Sequence, residues 1–222
     1  MEIRTAFHKH LREIQDDILA MGSMVSKAML RSIEALKKRD LELAHQLIAD
    51  DQKINNKRFE IEEKCIALIA TQQPMASDLR IIVAILNIII EIERIGDYAA
   101  GISKIVILIG DEPPLKPLID IPRMADHAVD MLRRSLDAFV SRDAEAAKKI
   151  IAEDDFSDNL YDQIFRELLT FMAEDPKTIT RATRLMWVAH NLERSADRVT
   201  NICERVVFVV TGKMEEIGGS TY

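Results

Sequence analysis

The chain reads IERIGDYA at residues 92–99 and LERSADRV at residues 192–199. Both stretches place a glutamate, an arginine and, four residues after the glutamate, an aspartate in an apolar setting. Side chains four residues apart lie on the same face of an α-helix, so each stretch predicts two carboxylates that project together. The pairs are Glu93 with Asp97 and Glu193 with Asp197. Their separation of 100 residues indicates a repeated unit.

Composition favours helices along the whole chain. Hydrophobic residues make up 48% of the 222 residues, whereas glycine occurs 7 times and proline 6 times, so the usual turn residues are scarce. The longest apolar run, residues 81–90, is well short of the roughly 20 residues that cross a bilayer, and the amino terminus lacks a signal-peptide core. Cys65 and Cys203 lie far apart within periodic segments, which is typical of buried free thiols. We therefore expect an all-α cytoplasmic protein.

Charge excludes one class of partner. The formal net charge is -7 and the isoelectric point is near 5.3, and no long basic stripe offsets the acidic excess. A protein that binds nucleic acid by neutralising phosphates needs such a stripe. We expect no nucleic-acid partner, and no attraction to a membrane surface through charge alone.

Hydrophobic periodicity predicts six long helices in two sets of three. The first set begins with a helix at residues 3–38 and continues with helices that end near residues 70 and 109. The second set is expected at residues 123–141, 143–173 and 178–210. Four of the six prolines fall in residues 110–122, which therefore reads as a linker.

The two sets look like copies of one unit. Asp40 opens DLELAHQLIADDQKINN and Asp143 opens DAEAAKKIIAEDDFSDN, so that Asp51 matches Asp154 at an offset of 103. A tandem duplication with short connections predicts two tandem antiparallel three-helix bundles related by an internal pseudo-twofold repeat. The predicted domains are residues 1–110 and 123–212, joined by a proline-rich linker at 111–122 and followed by a flexible tail at 213–222.

Each bundle is expected to bring four oxygen-bearing side chains together. Such clusters need a compensating positive charge, which either nearby arginines and lysines or a bound cation supplies. Oxygen ligands suit magnesium, calcium, manganese or ferric iron, whereas zinc more often recruits histidine or cysteine. An exposed helix face that pairs only with arginine and lysine stays open as the alternative. The candidate metal ligands are Asp51, Asn55, Glu93 and Asp97 in the first bundle and Asp154, Asp158, Glu193 and Asp197 in the second.

A di-iron enzyme is the rival interpretation. Helical-bundle enzymes of that class place a Glu-x-x-His motif on each of two helices. Only Glu42 and His45 have this spacing, and the second half has no counterpart. His190 precedes Glu193 in the reversed order and is interpreted as an interior histidine rather than a ligand. We expect no catalytic residues and keep a metal-dependent enzyme as the alternative function.

Four segments carry a family resemblance: QPMASDLR at 73–80, IERIGDYA at 92–99, MAEDPKTI at 172–179 and NLERSADRVTNICERVVFVVTG at 191–212. Together they resemble the PhoU family of phosphate-signalling proteins over essentially the whole chain. The resemblance implies a cytoplasmic accessory protein that restrains the phosphate-starvation response when phosphate is plentiful. It implies action between the ATPase subunit of the phosphate ABC transporter and a PhoR-type sensor histidine kinase, at the inner face of the membrane only through these partners. A second copy of the chain is also kept as a candidate partner.

The resemblance also bears on the metal. Some family members hold multinuclear iron or zinc clusters through Glu/Asp-x-x-x-Asp motifs, and the carboxylates named above match those motifs. Asn55 departs from the pattern because a neutral amide stands where the second half has Asp158. The first site is therefore expected to carry one fewer negative charge than the second.

Overall fold

The computed structural model describes residues 2–215 and 217 of the chain. Seven α-helices and one 3₁₀ turn make up this part of the chain, and it contains no strand. The predicted flexible tail, 213–222, lies mostly outside the described residues. The elements are α1 (Glu2–Lys38), α2 (Leu41–Gln72), α3 (Ala76–Ile109), α4 (Asp120–Ser141), α5 (Ala144–Ile151), α6 (Asp154–Glu174), the 3₁₀ turn Pro176–Thr178 and α7 (Ile179–Thr211).

The helices form two antiparallel bundles, which confirms the predicted fold class. Helices α1, α2 and α3 pack together in the first half, and α4, the consecutive pair α5 and α6, and α7 pack together in the second. Helices α3 and α7 pack along each other between the halves, and α1 contacts α4. Glu91 faces Asn201 while Gly101 faces Asn191, so α3 and α7 run antiparallel, as an internal twofold repeat requires. The predicted domain boundaries themselves stay a prediction.

The core follows the apolar periodicity of the sequence. One face of α1 is buried along its length, as predicted, through Ile14, Ile18, Met21, Val25, Met29 and Ile33. Full burial of one such side chain contributes about 1.5–3 kcal/mol relative to exposure. Cys65 and Cys203 are buried free thiols, and burial raises the pKa of both to about 12. Both thiols are therefore protonated and unreactive at neutral pH.

The turn before the second helix is the same in both halves. Arg39 and Arg142 adopt left-handed backbone angles, with φ of 57° and 56°. The aspartate that follows each arginine caps the next helix: the Asp40 side chain accepts from the Leu43 amide, and that of Asp143 accepts from the Ala146 amide, each at 2.9 Å. These matched turns place the acidic positions of α2 and α6 equivalently.

Two predicted helix bounds were wrong. Helix α4 begins at Asp120, three residues before the predicted start, because Pro122 falls within the first turn, where a missing amide hydrogen costs nothing. The single helix predicted at 143–173 is divided into α5 and α6 at residues 152 and 153. At this break the backbone oxygen of Glu153 accepts from His127 Nε2 at 3.2 Å, and Arg134 binds the Glu153 carboxylate through both terminal nitrogens. Ala152 N and Glu153 N still donate to Lys148 O and Ile150 O, so the tertiary contacts of Glu153 add to the local bonds at that point.

Candidate functional site

Four carboxylates of the second bundle lie on the facing surfaces of α6 and α7. Burial and then the charges of Asp158, Asp197 and Glu193 together raise the pKa of Asp154 to about 7. Burial likewise raises the pKa of Glu193 to about 6; Arg194 and Arg198 oppose this shift, and repulsion from Asp197 and Asp158 adds to it. The pKa of Asp158 is also raised, first by burial and then by neighbouring aspartates. The structure therefore brings the four predicted side chains close enough to repel one another.

Two buried oxygen atoms of this cluster have no hydrogen-bond donor within reach among the described residues. Asp154 Oδ1 and Glu193 Oε2 are shielded from solvent and have no hydrogen-bond partner within the described part of the chain. Arg194 Nη1 lies 3.0 Å from Asp197 Oδ2, so one arginine is committed to one carboxylate. Leaving buried acceptors unsatisfied is costly, since the lost solvation is not replaced. Such acceptors fit a hard cation, which binds several oxygens at once.

The first bundle gathers its four positions in the same way but compensates them better. Asn55 Nδ2 lies 3.4 Å from Asp51 Oδ2, and Arg58 Nε lies 3.6 Å from Glu93 Oε1. Burial and then the charge of Asp97 raise the pKa of both Asp51 and Glu93, and Arg58 moderates the shift of Glu93. Asp51 Oδ1 and Asn55 Oδ1 remain buried without a partner among residues 2–215 and 217.

Arg58 is a residue of this site that sequence reasoning missed. The equivalent position in the second half, at the offset of 103, is Tyr161, so the duplication gives no signal there. The guanidinium reaches Glu93 across the gap between α2 and α3, a contact that the order of residues does not show. The first cluster thus contains one carboxylate fewer than the second, and its Arg58 on α2 has no counterpart on α6.

The side chains in both clusters are near one another without being in ligand positions. No three histidine, cysteine, aspartate or glutamate side chains of the described residues lie close enough to hold one metal ion together. The unsatisfied oxygens are atoms of the kind that a hard cation binds. We infer that cation binding would reorganise these side chains on otherwise fixed helices.

The histidines that were weighed as enzyme ligands lie on the surface. Glu42 and His45 are both exposed near the start of α2. The interpretation of His190 as an interior residue was wrong, since its side chain is 55% exposed, with Nδ1 3.7 Å from Glu193 Oε2. It faces outward from α7 beside Tyr161, whose ring centroid is 6.2 Å away.

Comparison with known proteins identifies the duplicated unit. A family model described as the PhoU domain matches residues 18–106 and, a second time, residues 121–206. The chain belongs to the PhoU family. The two matches to PhoU fall in the two halves that the sequence repeat predicts, and each includes both acidic helices of its bundle.

Relatives of this PhoU-family chain resemble it over almost its full length. It is 39% identical to the phosphate-specific transport system accessory protein PhoU homolog of Aquifex aeolicus, over 93% of each chain. It is 35% identical to the PhoU protein of Escherichia coli K12, over 96% of this chain and 89% of that one.

Solved PhoU structures share the architecture. The crystal structure of PhoU from Pseudomonas aeruginosa superposes with a TM-score of 0.87 at 34% identity, over 93% of this chain and all of that one. The phosphate transport system regulatory protein PhoU from Streptococcus pneumoniae superposes with a TM-score of 0.88 at 31% identity, over 95% and 99%. The resemblance found in the sequence motifs is thereby confirmed.

Proposed function

We propose that this protein is a regulatory adaptor that holds back phosphate uptake and phosphate-starvation signalling when phosphate is abundant. The observation that carries the proposal is the double PhoU match across both bundles, together with near full-length similarity to proteins named as accessory to the phosphate-specific transport system. The S. pneumoniae relative is named a regulatory protein of that system. The proposed role is one of binding rather than of catalysis.

The proposed place of action is the cytoplasm, between the ATPase subunit of the phosphate ABC transporter and a PhoR-type sensor histidine kinase. None of the described helices is long and apolar enough to cross a membrane. The net charge of -7 gives no attraction to anionic lipids. The protein would therefore reach the inner face of the membrane only through its partners, either alone or as a pair of identical chains.

We also propose that the two acidic clusters bind metal ions. Iron or zinc is the expectation from the family likeness, while the all-oxygen donor set also admits magnesium, manganese or calcium. The buried, unpartnered oxygens of Asp154 and Glu193 support the proposal, as does the mutual repulsion of the four carboxylates. A bound cation would supply positive charge in addition to that of Arg194, which, among the described residues, pairs with Asp197 alone. Its role would be structural, fixing α6 against α7.

The regulatory proposal is tested in a deletion strain that carries a phosphate-starvation reporter. We expect the reporter to be switched on in high phosphate and to be silenced when the gene is returned on a plasmid. A reporter that stays silent in the deletion strain would contradict the proposal.

The metal proposal is tested by elemental analysis of protein purified without a chelator or a histidine tag. We expect metal in the wild-type protein and its loss when Glu93, Asp97, Glu193 and Asp197 are replaced together by glutamine and asparagine. Replacement of Asp137 and Glu145, whose side chains are 63% and 77% exposed, is the control and should retain the metal. Equal metal content in both variants would remove the four residues from the ligand set.

A further inference from the structure

Exposed apolar side chains form a strip along α6 and α7, next to the second acidic cluster. Phe165 is 38% exposed, Leu169 44% and Trp187 52%. Tyr161 joins them, with ring centroids 6.2 Å from both Phe165 and His190. Trp187 lies one turn before His190 on α7 and is the only tryptophan of the chain. We call Tyr161, Phe165, Leu169, Trp187 and His190 the aromatic strip.

The fold does not require the aromatic strip, because the first bundle has the same architecture without it. At the offset of 103, Tyr161 corresponds to Arg58 and Phe165 to Glu62. At the offset of 100, Trp187 corresponds to Asn87. The first half therefore has polar or charged residues at the positions of Tyr161, Phe165 and Trp187.

The strip rests on a packed support. Leu160, Ile164 and Leu168 point from α6 into the core and are at most 6% exposed, so the exposed rings stand on a helix that is already anchored. A rigid backbone presents the strip without a cost of ordering. Exposed aromatic side chains on such a support are typical of the central contacts of protein interfaces.

Negative charge surrounds one end of the strip. Asp158, Asp162 and Glu193 project near Tyr161, whose pKa is raised by burial and then by Glu193 and Asp162. Arg166 lies 3.4 Å from Asp162, and Arg194 and Arg198 act on Glu193, while Asp154, Asp155 and Asp197 add negative charge, so that acids outnumber arginines at this end. From residue 158 to residue 169, α6 rises about 17 Å, which three turns of a partner helix would match.

We propose that the aromatic strip and the carboxylates at its end dock a basic amphipathic helix of a partner protein. Apolar residues of that helix would cover Phe165, Leu169 and Trp187, and its lysines or arginines would reach the carboxylates. Charge complementarity selects this partner over an acidic or neutral one, because like charges at the rim are costly. The proposal concerns the metal-free protein, because Asp158 and Glu193 also belong to the second acidic cluster, and it does not depend on the regulatory role.

The probe is a synthetic helical peptide of leucine and lysine, with all leucines on one face. It is titrated into the full chain in EDTA at low ionic strength, and the emission of Trp187 is followed. We expect a saturable blue shift, since the indole passes from water into an apolar contact. A matched peptide of leucine and glutamate should leave the emission unchanged. Added salt should weaken the binding of the lysine peptide, because it screens the charges.

The decisive comparison uses two double variants. Phe165→Ser with Leu169→Ser should lower the affinity for the lysine peptide by about tenfold or more. Phe59→Ser with Ile66→Ser is the matched control, since these residues are 50% and 57% exposed and Ile66 corresponds to Leu169 in the first half. The control should bind as the wild type does. All four positions are exposed, so unchanged thermal unfolding verifies the fold of each variant.

Three results would overturn the proposal. The first is equal loss of affinity, or no loss, in both double variants. The second is equal binding of the glutamate peptide. The third is a dimer, seen by sedimentation, that Phe165→Ser with Leu169→Ser dissociates, because the strip would then be covered by a second copy of the chain.

Discussion

At the scale of single residues, the pKa of each acidic side chain in the two clusters depends on what surrounds its oxygen atoms. The repeat in the sequence was sufficient to predict which four side chains lie near one another in each bundle, and that Asn55 differs from Asp158 in charge; their binding of metal stays a prediction. It was not sufficient to predict that Asp154 Oδ1 and Glu193 Oε2 are buried with no hydrogen-bond partner among the described residues, because burial depends on how α6 meets α7. Arg58 was missed for the same reason, since its contact with Glu93 joins two helices.

Replacing Asp154 by asparagine should stabilise the chelated protein. Burial and three neighbouring carboxylates disfavour the charge of Asp154, and an amide of the same size removes that charge. We expect the free energy of unfolding at pH 8 in EDTA to rise by about 1 kcal/mol, measured by urea titration. Asp137→Asn, on an exposed surface, is the control and should change nothing. Destabilisation by Asp154→Asn in EDTA would contradict this account of the cluster.

The same cluster predicts how stability depends on pH. The pKa values of Asp154 and Glu193 are raised to about 7 and about 6 in the folded protein, whereas an unfolded chain has ordinary values near 4. The folded state therefore binds more protons between these values, and its stability falls as the pH rises from about 5 to about 8. Thermal unfolding in EDTA should show this fall for the wild type. Asp154→Asn with Glu193→Gln should flatten it, and a wild-type profile that is already flat would refute the prediction.

Because Asn55 is neutral and Arg58 is positively charged, we expect the first cluster to bind a cation more weakly than the second. Asn55→Asp adds the missing carboxylate and should increase the affinity of the first cluster for Mn²⁺ by about tenfold. The titration is best made calorimetrically in a chain that carries Glu193→Gln and Asp197→Asn, so that the second cluster contributes little heat. Asp50→Asn in the same chain is a control for a nearby change of charge. Equal affinities with and without Asn55→Asp would exclude the first cluster as the site.

At the scale of helices, the sequence predicted the ends that local chemistry determines. Asp40 and Asp143 open the two repeated segments, and in the structure each caps the helix that follows it, because a cap acts on the amides of the next turn. The break between α5 and α6 escaped prediction, since IAED contains neither glycine nor proline. That break is maintained by His127 and Arg134 of α4, which are about 20 residues or more away along the chain.

Removing either capping aspartate should cost about 1 kcal/mol of stability. In Asp40→Ala and Asp143→Ala the amides of Leu43 and Ala146 lose their acceptors. Chemical denaturation should show similar losses for the two variants, because the two turns have the same geometry. Asp137→Ala is the control on a helix surface. A large loss in one variant and none in the other would contradict the equivalence of the two halves.

At the scale of the whole molecule, the duplication arranges two similar bundles that have diverged on their surfaces. The cores of both are apolar, and α3 and α7 pack antiparallel between them, where Glu91 binds Arg198 and Asn201, each at 3.4 Å. The fold class could be predicted from the hydrophobic periodicity and the duplication. The surface differences could not be predicted in this way, because single substitutions such as Tyr161 for Arg58 leave the helical pattern unchanged.

The most direct test of the central claim is an anomalous difference map from crystals of protein purified without chelator. Data collected on either side of the absorption edge of the metal found by elemental analysis should place a peak between α6 and α7, in contact with Asp154 and Glu193. A weaker peak, or none, is expected between α2 and α3, where Arg58 and Asn55 reduce the negative charge. Anomalous peaks found only away from both clusters would contradict the account.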